Sequence, residues 1–161
     1  MISKFFANKV LNSICGVSND LSHPSKVYLG LCKNAPNGDK GVITGEPTVD
    51  SYKRVMVSGS SKSPKLFGEA AGGIIQNTEE IMFKPIRQEI GQVNYFFLST
   101  YESADDVPLS GTNALADAFL WGELHSKDEE GNEVDGVYIE AETVPVFYIG
   151  DLKASIDVEL T

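Results

Sequence analysis

Two segments of the chain carry large apolar side chains at consecutive positions, where an ordinary half-buried strand would alternate apolar with polar residues. The first is residues 92–100, QVNYFFLST, and the second is residues 118–124, AFLWGEL. In an extended chain, Val93, Tyr95 and Phe97 of the first segment lie on one face, and Phe96 and Leu98 lie on the other beside Asn94. Because alternation is the sign of a strand with one solvated face, both segments are predicted to be strands covered on two sides.

Helical spacing occurs near the start of the chain. Phe6, Val10 and Ile14 fall on one stripe of a helix, which predicts an amphipathic helix over residues 2–15 that ends at Gly16. Further strands are predicted at 27–32, 52–59, 79–84, 137–152 (one or two strands) and 152–160. Turn-rich sequence predicts loops at 33–47 and 60–77 and a charged hairpin turn at 126–136.

Short strands separated by Gly- and Pro-rich turns are typical of all-β folds. We therefore expect an antiparallel β-sandwich or jelly-roll-like domain with one short N-terminal α-helix. The expected division is an amphipathic helix over residues 1–17 and a single β-sandwich domain over residues 18–161. A chain of 161 residues is long enough to bury a core of its own.

The charge narrows the choice of partners. The formal net charge is −10, and Lys and Arg form no long run. A surface of this sign repels phosphate backbones and anionic membranes, so we expect neither nucleic acid nor a membrane as a partner. The first residues, MISKFF, lack the pattern of a signal peptide, and we expect synthesis in a cytoplasm without export by the classical route.

Residues that could carry chemistry are few. His23 and His125 lie outside any recognisable nucleophile or zinc motif, and Cys15 and Cys32 form no C-x-x-C pair, although their redox state stays open. The acidic run 128–135 lacks the spacing of a calcium loop. We therefore expect no enzyme activity, no metal and no cofactor.

The order of motifs along the chain carries a resemblance. These motifs are VYLGLCKNAP, GEPTVDSYKRV, NTEEIMFKP, GQVNYFFLSTYES, AFLWGELH and VYIEAETVPVFYIGDLKASID. In this order they resemble a family of small tailed-bacteriophage virion proteins described as tail-fibre or minor structural proteins. The chain departs from that pattern at Lys53, where alanine is usual, and at Gln88–Ile90, where tryptophan is frequent before Gly91.

The resemblance implies a structural protein of a phage virion that is assembled in the host cytoplasm and acts through protein–protein contacts. A tail-associated role of the tail-fibre or baseplate type is expected, with capsid decoration or a head fibre as the alternative and a glycan-binding attachment module as the second alternative. The expected partners are copies of itself, other virion proteins and, for the last alternative, a host-surface glycan. The candidate interface residues are Phe5, Phe6, Val10, Tyr95, Phe96, Leu98 and Trp121.

Overall fold

A computed structural model describes residues 4–15, 26–59, 66–71, 74–106 and 118–155 of the chain, with the backbone alone for residues 4–5, 12–14 and 154–155. Every strand pairing in these ranges is antiparallel, and α1 (Lys4–Ile14) is a short N-terminal helix. The expected all-β class with one N-terminal helix is therefore confirmed. The predicted strand at 152–160 can be followed only to residue 155, because residues 156–160 lie outside the described ranges.

The strands, in chain order, are β1 (Lys26–Cys32), β2 (Val55–Gly59), β3 (Ile74–Gln76), β4 (Ile81–Met82), β5 (Gly91–Val93), β6 (Tyr95–Ser99), β7 (Leu120–Glu123), β8 (His125–Lys127), β9 (Glu133–Asp135), β10 (Val137–Ile139), β11 (Val146–Phe147) and β12 (Lys153–Ser155). A single 3₁₀ turn, Ala104–Asp106, follows β6. Strand β3 corrects the sequence prediction, which placed residues 60–77 in a loop. Its partner, β12, is distant in sequence, so no local pattern reveals the pairing.

The first layer is a four-stranded sheet in the order β2-β1-β6-β7. The second is a long, interrupted ribbon in which residues 74–93 run antiparallel to residues 137–155. Three short ladders, β3 with β12, β4 with β11 and β5 with β10, keep a nearly constant register along it. Backbone hydrogen bonds between the ladders join them, for example from the Phe83 N–H to the Pro145 carbonyl at 3.0 Å.

One side of the two layers is closed by the chain itself. The N–H of Leu66 donates to the carbonyl of Val57 in β2, and the N–H of Thr78, which follows β3, donates to the carbonyl of Leu66. Residues 66–68 therefore lie between the edge of the sheet and the ribbon. At the opposite side β7 is the last strand of the sheet, and among the described residues no strand pairs with its outer edge.

Both faces of the four-stranded sheet are covered, which explains the consecutive apolar residues. On one face, Leu29, Leu31, Val57 and Leu98 share a core with ribbon residues, among them Ile81, Val93 and Ile139. On the other face, Cys32, Phe97 and Trp121 pack with Ala118 and Ile43 from neighbouring loops. The second apolar face of β6 is thus buried in part by loops of the same chain, and the predicted cover on two sides is found within the domain.

The predicted strand 92–100 is wrong in one respect, because it is two strands joined at Asn94. The Asn94 N–H donates to the Cys32 carbonyl at 3.1 Å, its side-chain amide donates to the Lys33 carbonyl at 2.9 Å, and its own carbonyl accepts from the Leu124 N–H at 2.8 Å. At this corner the chain leaves the ribbon and enters the sheet. Val93 consequently packs with Phe96 and Leu98, and not with Tyr95 and Phe97 as simple alternation would require.

Candidate protein-interaction site

The GEPTVDSYKRV motif builds a buried ion pair on the loop-covered face of the sheet. Arg54 Nε and Nη2 donate to the two carboxylate oxygens of Glu46 at 2.8 and 2.6 Å, and only 1% of the Arg54 side chain is exposed. Nη1 donates to Ser99 Oγ at 3.2 Å and to the Tyr101 carbonyl at 3.0 Å. The guanidinium also lies 4.8 Å from the centre of the Phe97 ring.

Tyr52 of the same motif completes this cluster. The pairing of β1 with β2 ends at Leu29, and beyond it the Leu31 N–H donates to the Tyr52 hydroxyl oxygen at 2.8 Å. The same hydroxyl lies 3.2 Å from Glu46 Oε1. Burial, followed by the nearby Glu46 carboxylate, raises the pKa of Tyr52 well above its ordinary value. The buried side chains of Tyr52 and Arg54 therefore pin loop 33–47 to the sheet and offer no surface for a partner, whereas Gly45, Thr48, Asp50 and Lys53 of the motif are exposed.

A gap remains between the layers on the side where β7 is the last strand. A cavity of about 380 Å³ lies there among the described residues, and a second one of about 250 Å³, which is lined also by Val27, Ser58 and Phe67, reaches toward β1 and β2; Phe96 and Leu152 line both. The ribbon lies on the β2 side of the sheet, where β4 contacts β2. Because neighbouring strands are about 4.8 Å apart, a ribbon two strands wide is too narrow to cover a sheet of four strands. Phe96 and Leu120 are accordingly only half-buried.

The floor of the larger cavity is apolar and its rim is acidic. Buried side chains of Leu31, Val93, Leu124, Ile139 and Leu152 line it, together with the half-buried Phe96. The exposed Glu123, His125 and Asp151 also line it. His125 stands among carboxylates, with Asp135 Oδ1 at 3.3 Å, Glu123 Oε2 at 3.9 Å and Glu133 Oε1 at 4.0 Å.

The residues that the sequence selected as an interface are placed apart. Phe6 and Val10 of α1 are half-buried, and the Phe6 ring lies 5.2 Å from that of Phe119; the side chain of Phe5 lies outside the described residues. Leu98 belongs to the main core. Tyr95 and Trp121 belong to the loop-covered cluster, where Trp121 is 2% exposed.

Of this set, Phe96 lines both cavities and Leu98 lines the smaller one, and sequence reasoning missed the other lining residues. They come from separate strands, so only the pairing of the ribbon brings them together.

The described ranges contain no group of three or more His, Cys, Asp or Glu side chains placed to hold a metal ion. Nor does any helix in those ranges have the length and apolarity needed to cross a bilayer. The hairpin β8–β9 turns through Asp128, whose carboxylate accepts from Asn132 and from backbone N–H groups; these hydrogen bonds lower the pKa of Asp128.

Comparison with known proteins adds the family. The model of the family described as Podophage GP4 fiber I protein gp80 matches residues 1–134, which is most of the chain. The chain belongs to this podophage fibre family. It is therefore a phage structural protein of the fibre type and a component of the virion, and its family is not one of enzymes. No curated protein matches the chain.

The family match includes the sheet, the Glu46–Arg54 cluster and the first strand of the ribbon. It ends at residue 134, inside β9, so the second strand of the ribbon and Asp151 on the rim of the gap lie beyond it, whereas Glu123 lies within it. The resemblance seen in the sequence, to tailed-phage fibre and minor structural proteins, is thereby confirmed at the level of the family.

Proposed function

We propose that this chain is a tail-associated fibre component that works by binding other virion proteins and copies of itself, after assembly in the host cytoplasm. In this proposal residues 18–161 act as one β-sandwich domain and residues 1–17 as a helix docked against it. The observation that carries it is the fibre-family match over residues 1–134. The ring contact between Phe6 and Phe119 supports docking of the helix.

The location on the particle is tested by reconstruction of the virion, or by immunogold labelling with an antibody against this chain. Density or label at the tail, its fibres or its baseplate is the expected result. Label over the capsid shell would instead establish capsid decoration or a head fibre and would refute the tail assignment. Light scattering of the purified chain tests self-association, and a strictly monomeric mass at high concentration would remove that part of the proposal.

A glycan-binding role is the second candidate, and the surroundings of the exposed Tyr138 favour it. Tyr138 is 59% exposed and its hydroxyl donates to Glu89, with Gln92 opposite it on β5, so an aromatic ring and polar partners share one surface. Such a combination suits sugar stacking. Trp121, by contrast, is buried and is a poor probe, since its replacement would disturb the core.

A glycan array with Tyr138→Ala, with Tyr148→Ala as the matched control, tests this candidate. Tyr148 is similarly exposed, at 61%, but it directly follows β11, whereas Tyr138 lies in β10. Signal that Tyr138→Ala removes and Tyr148→Ala keeps would support a site at Tyr138. An array without signal for the unaltered protein would refute the role.

A further inference from the structure

We propose that the gap beside β11 is a docking groove for an extended segment of another protein, which pairs with the ribbon edge at residues 144–147 and completes the second layer. The segment alternates apolar with basic side chains. This inference concerns how the chain holds a neighbouring virion protein, and so it rests on the proposed function.

The backbone of the ribbon edge is open to such pairing. In an antiparallel pair, successive residues direct their backbone groups alternately toward and away from the partner strand. Because the Phe83 N–H donates to the Pro145 carbonyl, residues 145 and 147 face β4, and Val144 and Val146 direct their N–H and carbonyl groups to the opposite side. Among the described strands none pairs with that side.

The floor beside this edge matches one face of an added strand. An extended segment placed next to residues 144–147 would lie over the half-buried ring of Phe96 and the buried side chains of Leu124 and Leu152. Alternate residues of the segment would point down into the gap, since side chains of a strand alternate between its faces. This is strand addition, in which backbone hydrogen bonds supply affinity and the pockets supply selectivity.

Charge decides the kind of occupant. Glu123 and Asp151 line the gap, and Glu133 and Asp135 lie beside His125 on the same rim, at 4.0 and 3.3 Å from its Nδ1. A chain of net charge −10 repels a second copy at this acidic surface. The outward side chains of the bound segment are therefore basic, as opposite charges across an interface favour encounter and suppress wrong partners.

Binding of short peptides to the purified full-length chain tests the proposal. The main probe is a fluorescein-labelled peptide of seven residues that alternates lysine and valine, and its fluorescence anisotropy reports binding. The same peptide with its backbone N-methylated at alternate residues keeps every side chain and charge but cannot form a ladder. We expect the unmethylated peptide to bind and the methylated one to lose binding by at least ten-fold.

Variants of the protein locate the site. Replacing the half-buried Val146 with proline removes an outward N–H and should abolish binding, whereas Val42→Pro, at an exposed valine in a loop, should leave it unchanged. Glu123→Lys should weaken binding by about five-fold, in the range of an exposed ion pair, and Glu130→Lys, in the hairpin turn away from the gap, should have little effect. Circular dichroism verifies folding, and the two peptides compared on the unaltered protein test the groove even if a variant does not fold.

The other possible outcomes of the peptide experiments would contradict the proposal. If neither peptide binds, or if both bind equally, the groove does not accept a strand and the proposal is overturned. If a peptide of residues 152–161 of this chain binds and the lysine–valine peptide does not, the occupant is this polypeptide itself and the assignment of a basic foreign partner is wrong. None of these results depends on where the chain lies in the virion, so failure here is distinct from failure of the tail assignment.

Discussion

The buried pair of Arg54 and Glu46 should be the most sensitive polar site in the described part of the fold. Replacing Arg54 with methionine keeps much of the side-chain volume but removes four hydrogen bonds, two to the Glu46 carboxylate, one to Ser99 and one to the Tyr101 carbonyl. The Glu46 carboxylate, whose side chain is 14% exposed, then remains without its cation in a poorly solvated place.

The expected loss can be estimated from these contacts. Removing one partner of a buried pair typically destabilises a protein by about 3–5 kcal/mol, because the other charge stays buried. The lost contact with the Phe97 ring contributes about 0.5–1 kcal/mol more. Since small domains unfold with about 5–15 kcal/mol in total, Arg54→Met should bring the protein close to the limit of folding.

A double-mutant cycle by urea unfolding separates the pair from its packing. We expect Glu46→Gln combined with Arg54→Met to be more stable than Arg54→Met alone, with a coupling energy of about 2 kcal/mol, because no charge is then left unpaired. Lys53→Met, at an exposed neighbour, should change the free energy of unfolding by less than about 0.5 kcal/mol. A loss below about 1 kcal/mol for Arg54→Met, or additive effects in the cycle, would refute a buried and coupled pair.

Three further predictions concern single side chains. Because burial raises the pKa of Tyr52 in the folded state, the unfolded chain binds fewer protons at high pH, so the contribution of Tyr52 to stability should be constant below about pH 10 and fall above it. Tyr28 and Tyr138, whose pKa values are also raised, add to this fall, so in alkaline urea titrations Tyr52→Phe should show a smaller fall than the unaltered protein although it is less stable at pH 7, and an equal fall would contradict the burial of Tyr52. Gly30→Ala should lower the melting temperature, because its methyl group would overlap the Phe97 ring, whereas Gly38→Ala, in open space, should not; equal melting temperatures would contradict the close packing. Asn77→Ala should cost about 2–4 kcal/mol in chemical unfolding, since its side chain makes four hydrogen bonds to the backbone, and a loss below about 1 kcal/mol would show that these bonds are dispensable.

The periodicity of apolar residues predicted the strands well where one strand stays in one sheet. β1, β6 and β7 lie where consecutive or alternating apolar residues placed them. The pattern failed at Asn94, because a change of sheet depends on hydrogen bonds to Cys32 and Lys33, which are distant in sequence. The pattern failed again at β3, a strand of only three residues that is held by its distant partner β12.

The candidate interaction site was predicted less well from the sequence than the fold. Large aromatic side chains were expected to form an interface, yet Trp121 is 2% exposed, because loop residues Ile43 and Ala118 cover it. Loop cover of this kind leaves no periodic signal. The motif containing Glu46, Tyr52 and Arg54 was noted only as part of a resemblance, and its meaning as a hydrogen-bonded cluster needed the positions of the side chains.

The two glycines opposite the phenylalanines of β6 fix the register of this strand with its neighbours. Phe97 lies across Gly30 of β1, and Phe96 lies across Gly122 of β7, where a Cβ atom would come within 2.6 Å of the ring. A shift of the strand by two residues would keep the same faces inward yet bring each ring against a full side chain. The pairing partners of β6 are thereby selected on both edges at once, and an engineered insertion on either neighbouring strand must preserve these crossings for the sheet to assemble in a single way.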